Sequence, residues 1–283
     1  MNMKKETALI LVLSIALGSA CGTATKVAVT PADPVVVPVT APALNAGTML
    51  SSHGTDAVLW QSTSAEAYRI SQQAFELARI RLMENIQMPS PKKNAVIVDI
   101  DETVLDNSPY QIHIGHEKTT YDQASWKTWT DMSAAAAMPG AIEFLKFVEQ
   151  QKCEVFYITN RDVRELASTL RNLDSLGFPF ADADHLLLMD GSSDKTERRA
   201  QVSATHRVAL LIGDQLRDYD ERFKDRSINY GKDLVETMND SLRRYFILLP
   251  NPMYGTFRDA VQGKGTDEEK LERTEEWFRA NDY

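Results

Sequence analysis

The chain has 283 residues, 43% of them hydrophobic, and a formal net charge of −9 at pH 7. That length suffices for one domain with a large core. The acidic balance, with no basic stripe, excludes a general electrostatic surface for nucleic acid, so no nucleic-acid polymer is expected as a partner.

Residues 1–20 read as an export signal. Lys4 and Lys5 are followed by the apolar run Ala8 to Leu17, too short to span a bilayer as a helix, and then by the small residues Gly18, Ser19 and Ala20. Cys21 follows directly, an arrangement that resembles a bacterial lipobox and makes Cys21 the expected lipidation site. The match is imperfect: Gly18 stands three residues before the Cys where Leu is usual, and Leu17 is one place too early. Residues 21–50 are rich in Thr, Ala, Val and Pro. Pro31, Pro34, Pro38 and Pro42 forbid a regular helix through that stretch, which reads as a tether. The expected location is therefore outside the cytoplasm: a bacterial outer-membrane lipoprotein, or a periplasmic or cell-surface protein. The folded domain is expected over 51–283, starting near Ser51–Trp60. The cysteines are Cys21 and Cys153, the latter at the start of an apolar strand and read as buried.

Within the domain, Ser64–Gln87 reads as a helix. Thr63 and Glu66 form a capping box, and Phe75, Ala78, Leu82 and Ile86 share one face. Ala95 to Val98 is a short β-branched run, read as a buried strand that stops at Asp99, with Asp101 two residues on. Residues 109–138 carry Tyr110, Tyr121, Trp126 and Trp129 among polar residues and read as a small, mainly helical cap. Trp126 and Trp129 are read either as the core of that cap or as an aromatic platform for substrate. Pro139-Gly140 is expected to open the next helix, with Pro at an early position. Cys153–Ile158 is a second strand running into Thr159-Asn160-Arg161, followed by a capping box of Asp162 and Glu165 and a helix ending at Gly177. Leu186–Met189 is a third strand. Lys195 falls in the first turn of the helix after it, where a cation suits an anion bound over the helix end. Arg207–Ile212 is a fourth strand, ending in Gly213-Asp214 with Asp218 close behind. Tyr245–Leu249 is a fifth, leading into Pro250-Asn-Pro-Met-Tyr254-Gly255. Strands alternating with helices predict an α/β fold: an open parallel sheet with right-handed crossovers and helices on both faces.

In such sheets ligands bind at the C-terminal edge. Two strands end there in carboxylates, Asp99 and Asp214, which suit a hard cation. A hydroxyl, Thr159, and an ammonium, Lys195, can hold phosphate oxygens and offset the charge on a transferring phosphoryl group. Each feature alone is common; the four in this order, each at a strand end or helix start, are specific. Tyr254, next to Gly255 and after two prolines, is expected either to pack against the cap or to stand as an aromatic partner opposite the two tryptophans.

The pattern Asp99-Ile-Asp101-Glu-Thr103 resembles the first motif of the haloacid dehalogenase-like superfamily. The longer stretches Asp99–Tyr110, Val155-Phe-Tyr-Ile-Thr-Asn-Arg161 and Leu248-Leu-Pro-Asn-Pro-Met-Tyr-Gly255 resemble the class C acid phosphatases, which are bacterial lipoproteins that include the lipoprotein e 5′-nucleotidases. The resemblance implies Mg²⁺-dependent hydrolysis of small phosphomonoesters, 5′-nucleotides among them, with an acidic pH optimum. It implies Asp99 as nucleophile and metal ligand. Asp101 becomes general acid/base and gives its backbone carbonyl to the metal. Thr159, Asn160 and Lys195 become phosphate-binding residues, Asp214 a metal ligand, and Asp218 a second-shell or water-mediated one. Gln215 departs from the family's usual Asn. Two other readings stand beside this one: another phosphoryl transferase, such as a mutase, on the same fold; and a surface lipoprotein that keeps the fold as an adhesion or ligand-binding module.

Overall fold

The computed structural model describes residues 44–283; the expected export signal, Cys21 and the tether up to residue 43 lie outside the described residues. Helical structure starts earlier than 51. Helix α1 (Ala46–His53) is capped by Asn45, whose side chain accepts the Thr48 amide hydrogen at 2.8 Å, and α2 (Thr55–Thr63) follows after Gly54. Residues 46–50, expected in the tether, are thus part of the folded unit, because the last helix-breaking proline of that stretch is Pro42. Helix α3 (Ala65–Ile86) buries Ala67, Ser71, Phe75, Ala78, Leu82 and Asn85 at intervals of three and four. Its cap is Ser64, which accepts from the Ala67 amide; Thr63 instead bonds back to the Leu59 carbonyl inside α2, so the expected Thr63 capping box does not form.

The chain then enters β1 (Asn94–Val98) and the two-residue strand β2 (Leu105–Asp106). Helices α4 (Ser108–His116) and α5 (Gln123–Asp131) come next, then β3 (Ala136–Ala137). Antiparallel pairing of Leu105 with Ala137 and Asp106 with Ala136 closes the base of the 109–138 insertion. Helix α6 (Ala141–Gln150) begins after Pro139, not at it. Gly140 caps it with φ +90°, and a β-carbon there would meet Phe75 at 3.3 Å, so only glycine suits the position. The remaining elements are β4 (Glu154–Asp162), α7 (Leu166–Leu176), β5 (Leu186–Met189), α8 (Thr196–Thr205), β6 (Arg207–Gly213), α9 (Lys232–Tyr245), β7 (Phe246–Leu248), α10 (Thr256–Gln262) and α11 (Asp267–Ala280). Asp162 and Glu165 form their capping box, and Gly177 ends α7 in the left-handed conformation.

The main sheet has the order β5-β4-β1-β6-β7, and every pairing is parallel. Strand β1 is therefore central and buried on both faces. Val96 and Val98 join a core with Phe75, Leu82, Phe144, Leu145 and Val148 from α3 and α6; Ala95 and Ile97 pack with Phe156, Ile158 and Val202 of α8 on the other face. This is the expected α/β architecture, with helices on both faces. Cys153 is buried and, among the described residues, has no disulfide partner. No described helix is long and apolar enough to cross a membrane.

Candidate active site

Strands β1 and β6 end side by side, with Val98 opposite Ile212, so Asp99 and Asp214 emerge next to each other. Asp218 returns to the same point on a short 3₁₀ turn. Its Oδ2 accepts from the Gln215 amide at 3.0 Å, and the Gln215 and Asp218 side chains cap the turn reciprocally. One carboxylate oxygen from each of Asp99, Asp214 and Asp218 lies within 4.8 Å of the others. Lys195, the residue before α8, reaches into this group: its ammonium is paired with Asp99 Oδ1 and, at 2.6 Å, with Asp218 Oδ1.

Three carboxylates facing one ammonium leave an uncompensated negative charge. Burial raises the Asp99 pKa well above the usual carboxylate range, and Asp218, Asp214 and Asp101 reinforce that against the opposing pull of Lys195. Burial and Asp218 push Asp214 up to about 7, against hydrogen bonds from Asn251 and Gln215. Burial opposes the charge on Lys195, but Asp218 and Asp99 outweigh it, so its pKa is raised. Crowded oxygens with too little positive charge fit a hard divalent cation, which takes carboxylate ligands.

Asp101 faces away from this group. Its Oδ1 accepts from Arg161 Nε at 3.0 Å, Arg161 Nη2 at 2.8 Å and Asn107 Nδ2 at 2.9 Å, and its Oδ2 accepts from the Thr159 hydroxyl at 3.3 Å. Arg161 is almost fully buried and also donates to Thr169. Trp129 Nε1 donates to Asn107 Oδ1 at 2.8 Å. The reading of Trp129 as part of a substrate platform is therefore corrected: it packs against the core, is not among the cavity-lining residues, and acts on the site through Asn107. Trp126 does line the cavity, set edge-on to Tyr110 with ring centroids 5.1 Å apart. Tyr254 lines it too. Thr159 is fully buried and spends its hydroxyl on Asp101, whereas Asn160 is exposed, lines the cavity and accepts from Arg198 at 2.8 Å. His113 and His116 lie exposed on α4, and His116 pairs with Glu117.

Four features escape the sequence reading. Arg161 and Asn107 clamp Asp101. Asn251 donates to Asp214 Oδ2 at 2.7 Å, while its own Oδ1 accepts from the Met253 amide at 3.0 Å. Gln215 bridges Asp214 Oδ2, at 3.0 Å, and the Thr256 amide, at 3.1 Å. Glu102 is fully buried in the left-handed region at φ +58°, its Oε1 taking the Asn107 amide. Burial and the nearby acids hold its pKa well above the usual range, and its bond to the Asn107 amide anchors the loop after β1. Alternation along β4 is the signal that finds Arg161, since it puts Thr159 and Arg161 on one face.

Asp99, Asp101, Lys195 and Asp214 open into one cavity of about 740 Å³, walled by α1, α2, α4 and the segment after β7. A buried oxygen cluster, a clamped second carboxylate and an adjoining cavity can accept a phosphoryl group and the alcohol attached to it.

The family model described as HAD superfamily, subfamily IIIB (acid phosphatase) matches residues 37–257. The chain is similar to the class C acid phosphatase from Bacillus anthracis, at 34% identity over 80% of this chain and 97% of that one, with a TM-score of 0.73. A structure of the Bacillus anthracis protein with tungstate bound matches at 33% identity over 80% and 97% of the chains, also at a TM-score of 0.73. Acid phosphatase 1 of Solanum lycopersicum is 25% identical over 189 residues, 67% of this chain and 68% of its own.

Proposed function

The chain belongs to the acid phosphatases of HAD subfamily IIIB, class C, and is a phosphomonoesterase; from that premise we propose that it is an exported, Mg²⁺-dependent enzyme acting on 5′-nucleotides through an aspartyl phosphate on Asp99. The observation that carries this reading is the meeting of Asp99, Lys195, Asp214 and Asp218 at one point, with Asp101 beside them and a single cavity above.

Asp99, Asp214 and Asp218 would hold the metal, with the Asp101 backbone carbonyl. When bound, it offsets charge on the phosphoryl oxygens. Asp99 attacks phosphorus in line. Lys195 favours the ionised form of Asp99 against its burial, holds it in place, and then balances the oxygens of the transferred group. Thr159 would meet the same oxygens once its hydroxyl leaves Asp101, and Asn160 would do so on release from Arg198. The tungstate in the Bacillus anthracis relative is a tetrahedral oxyanion, as phosphate is. Asp101 protonates the leaving alkoxide and later takes a proton from the attacking water. Its pairing with Arg161 is the arrangement of the base form, so delivering a proton requires the side chain to turn out of that clamp. Trp126 and Tyr254 both line the cavity and would face a nucleobase there, and stacking tolerates any base.

The decisive experiment measures phosphate release from nucleotides, sugar phosphates and aryl phosphates with and without Mg²⁺, for the parent and Asp99→Asn. Mg²⁺-dependent turnover favouring nucleotides and lost in the variant is expected; near-normal turnover of the variant sinks the mechanism. Transfer of phosphate to a second site on a sugar, with no net release, would favour the mutase reading. Cys21 is the proposed lipid anchor. Mass spectrometry of membrane-extracted protein should find a mature chain starting at lipid-modified Cys21; an unmodified N-terminus beyond Ala20 contradicts the anchor.

A further inference from the structure

The cavity over the phosphate site reaches well past the catalytic carboxylates, to the junction of α1 and α2. Its lining includes five basic side chains. Four have carboxylate partners: Arg161 with Asp101 at 2.8 Å, Lys195 with Asp99 and Asp218, Arg217 with Glu221 at 2.7 Å, and Lys270 with Asp267 at 3.8 Å. The fifth, Arg258, has none. Among the described residues no carboxylate lies within 4.0 Å of its guanidinium, and the side chain makes no hydrogen bond.

This guanidinium is not a freely solvated surface group. It packs against Gly54, close enough that a β-carbon there would come within 3.4 Å of Nη2. Leu50 and Val58, one helical turn to either side of Gly54, line the same cavity, as does Ile112 of α4. Burial draws the Arg258 pKa below its ordinary value, with Asp259, the next residue, opposing it. A half-buried charge among aliphatic walls gains little from water and much from an anion, because the surroundings screen poorly. Five donors in a fixed fork suit a carboxylate or a phosphoryl group.

We propose that Arg258 receives a second anionic group carried on the leaving-group side of the substrate, so that the enzyme prefers phosphomonoesters whose alcohol bears its own carboxylate or phosphate. This rests on the phosphatase reading above and adds the substrate class that the far end of the cavity selects. The arrangement also assigns the two ends of the site opposite tasks: the acidic end holds the reacting phosphate through a cation, and the far end takes an anion directly.

Two matched pairs test it with the full-length enzyme. Adenosine 5′-monophosphate is compared with adenosine 3′,5′-bisphosphate, following release of the 5′-phosphate by chromatography. Glycerol 3-phosphate is compared with 3-phosphoglycerate, which replaces a terminal hydroxymethyl by a carboxylate. Charge-assisted hydrogen bonds of this kind correspond to roughly ten-fold or more in kcat/KM. The parent should favour the doubly anionic member of at least one pair by that factor. Which pair responds tells a phosphoryl from a carboxylate ligand. In Arg258→Gln the ratio should fall to about one, and Arg258→Lys should restore part of it. Because the readout is a ratio within one variant, a general loss of folded protein does not mimic it. Ratios near one in both pairs for the parent, or a preference that Arg258→Gln leaves intact, overturn the proposal. Release from none of the four substrates overturns the phosphatase reading and this one with it.

Discussion

Replacing Asp214 by Asn should stabilise the metal-free protein. Asp214 is pushed up to about 7 from an ordinary value of 3.8, because burial and Asp218 disfavour its charge. About 3 units at 1.36 kcal/mol each give about 4 kcal/mol as the full penalty of ionising it at neutral pH. Asp214 keeps some access to the cavity, so roughly half of that, about 2 kcal/mol, is the expected gain from an uncharged isostere. The Asn side-chain oxygen can still accept from Asn251 and Gln215, which both donate to Oδ2. For a domain of this size about 2 kcal/mol raises Tm by about 4–8 °C. The assay is thermal melting in chelator at pH 7.5. The folded pKa lies above the unfolded one. Stability from this group is therefore complete below about pH 4 and lost as pH rises through about 7. The parent's Tm in chelator should fall across that window, and the variant's should fall less. Added Mg²⁺ should raise the parent's Tm by mass action and leave the variant's nearly unchanged. A variant that melts below the parent in chelator, or equal stabilisation of both by Mg²⁺, refutes the charge argument.

Asp101→Asn should slow turnover more for alkyl phosphates than for aryl phosphates, whose leaving groups need less help from an acid; an equal loss for both removes Asp101 from that role. Arg161→Leu should cost about 3 kcal/mol, read by denaturant melts, since it strips the buried partner from Asp101 while leaving Asn107 and Thr159 in place. An unchanged midpoint would show that Arg161 is not needed to hold that carboxylate. Tyr254→Ala should raise KM for nucleoside monophosphates by about ten-fold and barely affect glycerol phosphate, as expected for lost base stacking. If both substrates weaken alike, Tyr254 is packing rather than recognition.

What the sequence made legible was local. Apolar runs such as Ala95–Val98 and Val208–Ile212 mark buried parallel strands. A carboxylate directly after the first run, and one residue past the second, lies at the sheet edge, so Asp99 and Asp214 were readable together with the fold. The contacts that tune them were not. Asn107, Trp129 and Arg161 are separated in the chain and meet only because the β2–β3 ribbon folds the 109–138 insertion back over β4. Trp126 and Trp129 look alike on α5, yet one faces the cavity and the other the core; that depends on how the helix is rotated against its neighbours. The start of the fold at Asn45 was obscured by composition, because the residues between Pro42 and Ser51 resemble the preceding tether while carrying a cap and no proline. Gln215 stood out as a departure, but its bridge to Thr256 is long-range and visible only in three dimensions.

The central claim is that phosphate passes through Asp99. Rapid acid quench of the enzyme during turnover of a phosphate-labelled aryl ester, followed by digestion and mass spectrometry, tests it directly. A labelled acyl phosphate on the peptide containing Asp99, formed and lost at rates matching turnover and missing from Asp99→Asn, is the predicted result. Label on another residue, or full turnover with no covalent phosphoryl enzyme when chemistry is followed to single-turnover times, would contradict the account.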